Sequence, residues 1–321
     1  LDFIRGIAVM GILAANIVAF GQPQSAYMWP GGFLTEHGPV SNWVWGAQFT
    51  LIDGKMRALF TLLFGAGMIL FLDRAWARGS GRWLQVRRLI WLFVFGYLHY
   101  LFISKTDILA LYAGSGLIAL LFVKWKPKTQ LLVGIVVYLL GAVKDIAVWG
   151  RLYAVASGAV PDRPGGMADM AAEMRDAGMA DGRIETALIR AGDYGGWITH
   201  NMAEHWSQPL LAWSQNLLET IPLMLIGMAL YRLGLFDGRL NPRRQAVWGW
   251  IGLLVGFAGT LAIGLWNHAE GLSYAGTLWS FDGLSRVPLL PMVFGLAALL
   301  PLWGPSAPGR LGSRISATSR M

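Results

Sequence analysis

The hydrophobic positions fall into long, nearly unbroken runs separated by short polar segments. This is the pattern of helices that cross a bilayer, not of helices with one wet face. Eight runs stand out: Phe3 to Phe20, Ala58 to Leu72, Leu89 to Ile103, Ile108 to Val123, Leu131 to Trp149, Leu210 to Leu230, Val247 to Trp266 and Val287 to Trp303. A shorter apolar stretch, Trp43 to Ile52, precedes the second. Residues 150–208 break the pattern: they are polar, hold about eight acids and include Pro161 and Pro164. Within them, Met167 to Ala177 and Arg183 to Ala191 read as two short amphipathic helices separated by Gly178 and Gly182. Such a segment fits a lid, a docking surface or a linker equally well. The pattern predicts an all-α, polytopic transmembrane bundle in three parts: five spans over 1–149, a polar extracytoplasmic helical insertion over 150–208, and three spans over 209–321.

Charge placement orients the bundle. The loop after the second run holds Arg74, Arg78, Arg82, Arg87 and Arg88, and the loop after the fourth holds Lys124, Lys126 and Lys128. The loop after the sixth holds Arg232, Arg239, Arg243 and Arg244, and the tail holds Arg310, Arg314 and Arg320. Opposite short loops carry only Lys55, Arg57, Lys105 and Arg286. By the positive-inside rule the basic side and the N-terminus face the cytoplasm, in a bacterial cytoplasmic (inner) membrane, and 150–208 lies outside.

Composition agrees. Of 321 residues, 55% are hydrophobic and 14% charged, against roughly 25% charged in soluble domains. The partner this implies is the lipid bilayer. Many of the 16 tryptophans, among them Trp29, Trp43, Trp45, Trp149, Trp206 and Trp279, lie near run ends, as in an interfacial aromatic belt. The net charge of +8 is dispersed in short clusters between apolar runs, which argues against nucleic acid as a partner. The lack of cysteine excludes disulfides, cysteine nucleophiles and cysteine metal sites. The chain opens at Leu1 on an apolar helix with no basic leader, and closes on the polar stretch Ser313 to Met321, so it reads as a fragment of a longer protein.

No P-loop, dinucleotide glycine fingerprint or His-Glu-x-x-His pair occurs. His200 and His205 are five apart, which does not align two ligands on a helix face, and they read as solvated loop histidines. Ionisable groups near the spans carry more information, because hydrocarbon makes them costly. His99 lies near the outer end of the third run and Asp107 opens the fourth helix, so a tight turn brings them within reach of one another. The pair is either a carboxylate-oriented histidine base or a helix cap beside an unrelated histidine. Asp53, Lys55 and Arg57 precede the second run and either bind an anion or anchor the span end. Asn16 and Glu219 lie inside spans, the first suited to interhelical hydrogen bonding and the second in need of a partner. Asp282 and Arg286 are spaced for an i,i+4 ion pair.

Several blocks together resemble the YeiB-like family of bacterial membrane proteins, domain of unknown function 418. They are Leu1-Asp2-Phe3-Ile4-Arg5-Gly6 through Asn16 and Pro23; Gly54-Lys55-Met56-Arg57 with Leu59 to Gly65; Gly96-Tyr97-Leu98-His99 with Asp107-Ile108-Leu109; and Leu223 to Leu230 with Arg232 and Gly234. The resemblance implies about two further spans after Arg320-Met321. The Leu-Asp-x-x-Arg-Gly opening also looks like that of membrane acyltransferases of the heparan-glucosaminide acetyltransferase type. This implies acyl transfer from cytoplasmic acyl-CoA, a co-substrate and not a covalently bound cofactor, to a small-molecule, sugar or lipid acceptor at the outer face. In that group the catalytic histidine follows the first span, where this chain has His37. Read from the residues themselves, His99 would be the base and Asp107 its orienting partner, with Lys55 or Arg57 holding negative charge. The alternative is a transporter or channel for a small solute. Pro222, Pro288 and Pro291 interrupt spans of the second half, but no corresponding pair appears in the first.

Overall fold

A computed structural model describes residues 1–303. Its helices, in chain order, are α1 Asp2–Gly21, α2 Ser25–Met28, α3 Pro39–Leu51, α4 Lys55–Ala77, α5 Trp83–Phe102, α6 Leu109–Ala119 and α7 Pro127–Ala156. There follow α8 Met167–Arg190, α9 Tyr194–Glu204, α10 Gln208–Gln215, α11 Leu217–Arg232, α12 Pro242–Ala269, α13 Tyr274–Trp279 and α14 Arg286–Trp303. No strand occurs among the described residues. All eight apolar runs are helical, although the sixth, Leu210 to Leu230, is divided at Asn216 between α10 and α11. Five helical stretches are long and apolar enough to cross a membrane: α1, α3 with α4 (Pro39–Ala77), α7, α12 and α14. The chain is a multi-pass membrane protein. The basic tail and the closing stretch Ser313 to Met321 lie outside the described residues.

The three remaining runs depart from simple spans. α6 with its short extension covers only Leu109–Phe122. α5 carries Arg87 and Arg88 in its second turn. α11 has 16 residues, about 24 Å of helix against roughly 30 Å of hydrocarbon. It needs no lipid-facing stripe, because Thr220 and every residue from Pro222 to Leu230 are buried. It runs through the centre of the bundle between α4 and α7. Glycine makes this approach close: Gly65 of α4 lies on the Met224 backbone and Gly227 of α11 lies on the Leu62 backbone. Small residues serve this purpose in membranes, where association depends on packing and not on expelling water. α12 and α14 repeat the device, with Gly252 and Gly256 against the carbonyls of Pro291 and Pro288.

The polar insertion corrects the sequence reading at one point. α8 is a single helix of 24 residues, not two short ones. Gly178 and Gly182 lie inside it. Gly182 rests on the Pro23 side chain and Gly178 faces Ser25, so these glycines permit approach to the α1–α2 connection and the start of α2 and do not break the helix. α9 then docks on the last turn of α5, whose carbonyls have no helical partners. Asn201 Nδ2 donates to the carbonyls of Tyr100 (3.1 Å) and Leu101 (2.9 Å), and the Tyr194 hydroxyl donates to that of Phe102 at 2.5 Å. Tyr97 donates to the Trp206 carbonyl at 2.7 Å. The insertion is thus held against the bundle through the end of α5.

Candidate functional site

An open cavity of about 620 Å³ lies between the end of α1, the α5–α6 turn, and α8 with α9, which together form a cover over this end of the bundle. His99, Lys105, Glu185, Tyr194 and Trp197 are among its lining residues. His99 reaches it from the last turn of α5. Gly96, one turn earlier, allows α6 to start against α5: a β-carbon there would stand 2.8 Å from the Leu109 side chain and 3.0 Å from Asp107 Oδ1. This contact sets Asp107 Oδ2 2.9 Å from His99 Nδ1, a charge-pair distance without hydrogen-bond alignment. Asp107 Oδ1 meanwhile accepts from the amides of Leu109 (2.8 Å) and Ala110 (3.3 Å). Asp107 is therefore both a cap and a histidine partner, one oxygen serving each role. Nδ1 is buried while the His99 side chain keeps 39% exposure, so the accessible part of the ring is the side bearing Nε2.

The other predicted residues lie elsewhere. Lys55 is buried, donates to the Phe49 carbonyl at 2.5 Å and sits 5.0 Å from the Phe49 ring centre. Asp53, in the break between α3 and α4, accepts from the Tyr27 hydroxyl (3.3 Å) and from Gln48 (3.2 Å). Asn16 is half-buried on α1 beside Ala15, whose carbonyl accepts from Gln48 at 3.0 Å. None of these three, nor Arg57, lines the His99 cavity. His37 is exposed, its Nδ1 3.2 Å from the Thr35 carbonyl.

Arg57 and Glu219 belong to a second constellation at the starts of α4, α11 and α14, in which Glu219, Asp145 and Arg286 are buried and Arg57 is one third exposed. Arg57 NH2 lies 2.9 Å from Glu219 Oε1, and Arg286 NH1 lies 2.9 Å from Glu219 Oε2. Arg286 Nε continues to Asp145 of α7 at 3.0 Å, and Asp145 meets Lys144 at 2.8 Å. The expected Asp282–Arg286 side-chain pair gives way to this network: Arg286 Nε donates to the Asp282 backbone carbonyl (2.9 Å) while its charge turns to Asp145 and Glu219. Sequence reasoning passed over Asp145, although an acid inside the run Leu131 to Trp149 is itself a signal.

The reading of His200 and His205 is also corrected. Their side chains keep 17% and 16% exposure, and both Nε2 atoms converge on Asp181 Oδ1, at 2.7 and 2.9 Å. The helical spacing argument does not apply, because α9 ends at Glu204 and His205 leaves the helical path. Asp181 is also 3.6 Å from Lys105, and Glu185 pairs with the same lysine. Burial raises the Asp181 carboxyl, but the bonds to His200 and His205 and the Lys105 charge outweigh it and hold the group below the ordinary carboxylate range.

At the opposite end of α5, a second cavity of about 380 Å³ is lined by Arg5, Arg74 and Arg88 together with Gln85 and Tyr112, and extends to Leu109. Three guanidinium groups around one cavity suit an anionic ligand.

No family model matches the chain, and no solved structure matches it. Three curated bacterial proteins are similar over part of their length. "Uncharacterized protein YxaH" of Bacillus subtilis (strain 168) is 38% identical over 149 residues, 44% of this chain and 36% of that protein. "Uncharacterized 39.9 kDa protein in amylase 3'region" of Bacillus acidopullulyticus is 33% identical over 144 residues, 43% of this chain and 38% of that protein. The matched stretches thus span little more than a third of these relatives. The remaining similarity carries the family name indicated by the sequence blocks: "Uncharacterized protein YeiB" of Escherichia coli (strain K12), 39% identical over 145 residues, 44% of this chain and 35% of that protein.

Proposed function

We propose that the protein is a membrane acyltransferase that carries an acyl group from acyl-CoA to a hydroxyl or amine acceptor in the His99 cavity. The observation that carries this reading is the His99–Asp107 pair at 2.9 Å on the wall of a 620 Å³ cavity under a docked cover. His99 Nε2 takes the acceptor's proton as its oxygen or nitrogen bonds to the acyl carbonyl carbon; the carbon–sulfur bond breaks and the thiolate leaves. Asp107 holds the imidazolium that forms. Lys105 lines this cavity where Lys55 and Arg57 do not, and on leaving its ion pairs with Glu185 and Asp181 its ammonium would meet the developing oxyanion. The Arg5, Arg74 and Arg88 cavity suits the donor's phosphates. Arg88 and His99 are eleven residues apart on α5, about 16 Å of helix, so the acyl arm must cover that distance. In this reading the arginine end faces the cytoplasm of a bacterial inner membrane and the cover faces outward.

The test uses full-length protein, labelled acyl-CoA and a panel of sugar, lipid and small-molecule acceptors. His99→Ala is expected to slow turnover by about 10²- to 10⁴-fold, with Asp107→Asn costing less. Equal transfer by His99→Ala and parent sinks the assignment. The Arg57–Glu219–Arg286–Asp145 network, buried at all but Arg57, favours a second reading, a solute transporter. It lies near helix starts, whereas transporter sites lie near the midplane. Solute uptake into liposomes by a parent that transfers no label would select that reading.

A further inference from the structure

We propose that Asp181, Glu185, His200 and His205 form a divalent-metal site, best suited to zinc, that staples α8 to α9 over the cavity. The four candidate ligand atoms lie within 4.8 Å of one another. Asp181 and Glu185 are one turn apart on the same face of α8. His200 comes from α9, and the chain's departure from the helix after Glu204 turns His205 back to the same point. The side chains are 28%, 11%, 17% and 16% exposed in that order, so the group is largely withdrawn from solvent.

The hydrogen-bond pattern is one a metal would replace. Both imidazoles address a single carboxylate oxygen through Nε2, so each ring must carry its proton there. A dication at the centre takes both Nε2 lone pairs as the ring protons shift to Nδ1, and no electrons are exchanged. Two carboxylates balance the charge of the ion, and two neutral imidazoles complete a four-coordinate N₂O₂ set. Zinc bonds of about 2.0–2.2 Å give ligand–ligand edges of about 3.4 Å, so the 2.7 and 2.9 Å contacts must open by about 0.7 and 0.5 Å. Imidazole ligands with no cysteine in the chain fit zinc. Four protein ligands leave no open position, which marks a structural site and not a catalytic one.

Lys105 is the competitor. Its ammonium pairs with Glu185 and lies 3.6 Å from Asp181 Oδ2, standing in for a cation. Once a dication satisfies both acids, that amine is released toward the cavity it lines. The two readings of the cluster, metal site or lysine-centred ion-pair group, thus make opposite claims about Lys105→Ala.

The experiment uses the full chain purified in detergent without a histidine tag, stripped with chelator and dialysed against zinc, with metal measured by mass spectrometry. One zinc per chain is expected, with cobalt substitution giving the visible absorption of a tetrahedral site. His200→Ala and His205→Ala should each weaken zinc by more than the about ten- to hundred-fold that outer partners of a metal ligand cost. His37→Ala should bind as the parent does, and Lys105→Ala as tightly or more tightly. Should the histidine variants fail to fold, the parent alone decides: zinc raises its unfolding temperature and chelator lowers it. Substoichiometric zinc with no thermal shift in the parent overturns the proposal. So do folded histidine variants that bind like the parent, or loss of zinc in Lys105→Ala.

Discussion

Replacing Glu219 by glutamine tests the buried network most directly. The Glu219 side chain is 3% exposed and lies between two guanidinium groups, at 2.9 Å from each. The substitution keeps shape and removes charge. Arg286 retains Asp145 at 3.0 Å, but Arg57 loses the charge partner it has from another helix. Leaving one member of a buried pair uncompensated costs about 3–5 kcal/mol in soluble proteins. The Arg57 side chain is 33% exposed, and in a membrane the unfolded reference state also finds partners; both lower such values, so we expect about 2 kcal/mol. Arg57→Met should cost less than Glu219→Gln, because Glu219 keeps Arg286. The double variant should be more stable than the sum of the singles, with a coupling of about 1–3 kcal/mol. Reversible unfolding of detergent-solubilised protein in denaturant, read by tryptophan fluorescence, supplies all four corners of the cycle. A Glu219→Gln protein within about 0.5 kcal/mol of the parent, or strict additivity, would refute the claim that this ion network holds α4, α11 and α14 together.

Two glycines on different helices should respond in opposite directions to alanine. Gly65→Ala drives a methyl into the Met224 carbonyl and should destabilise by at least about 1–3 kcal/mol, whereas Gly178→Ala, which meets only Ser25 at 3.7 Å, should stabilise by about 0.4–1 kcal/mol; thermal unfolding of both variants checks this. The lowered Asp181 carboxyl contributes stability that is complete above about pH 4, the ordinary carboxylate value, and is lost as pH falls through its lower folded value. Protease cleavage within α8–α9 of chelator-treated protein should therefore increase as pH falls below about 4, and Asp181→Asn should flatten that response. Cysteines introduced at exposed Arg183 and Lys128 should label from opposite sides of the membrane, with Arg183→Cys reactive in intact spheroplasts and Lys128→Cys only after permeabilisation; the reverse order inverts the proposed orientation.

What the chain alone determined is what short-range chemistry controls. Apolar runs of span length have one economical way to satisfy their backbone in lipid, so helices at Phe3 to Phe20, Leu131 to Trp149 and Val247 to Trp266 follow from composition. The meeting of His99 and Asp107 was legible for the same reason. Both flank one tight turn between consecutive helices, and Gly96 marks where those helices touch. Tertiary structure decided everything that joins residues distant in sequence. Arg57, Asp145, Glu219 and Arg286 come from four helices whose order in the chain says nothing of which faces meet. Spacing misled at His200 and His205, because helical periodicity holds only while the helix continues, and α9 stops between them. It misled again at Gly178 and Gly182, where local propensity favours a break but α8 runs on and packs against Pro23 and Ser25. The roughly 1 kcal/mol that a glycine costs inside a helix is small beside the close packing its missing side chain allows, and the sequence does not record which neighbour will arrive.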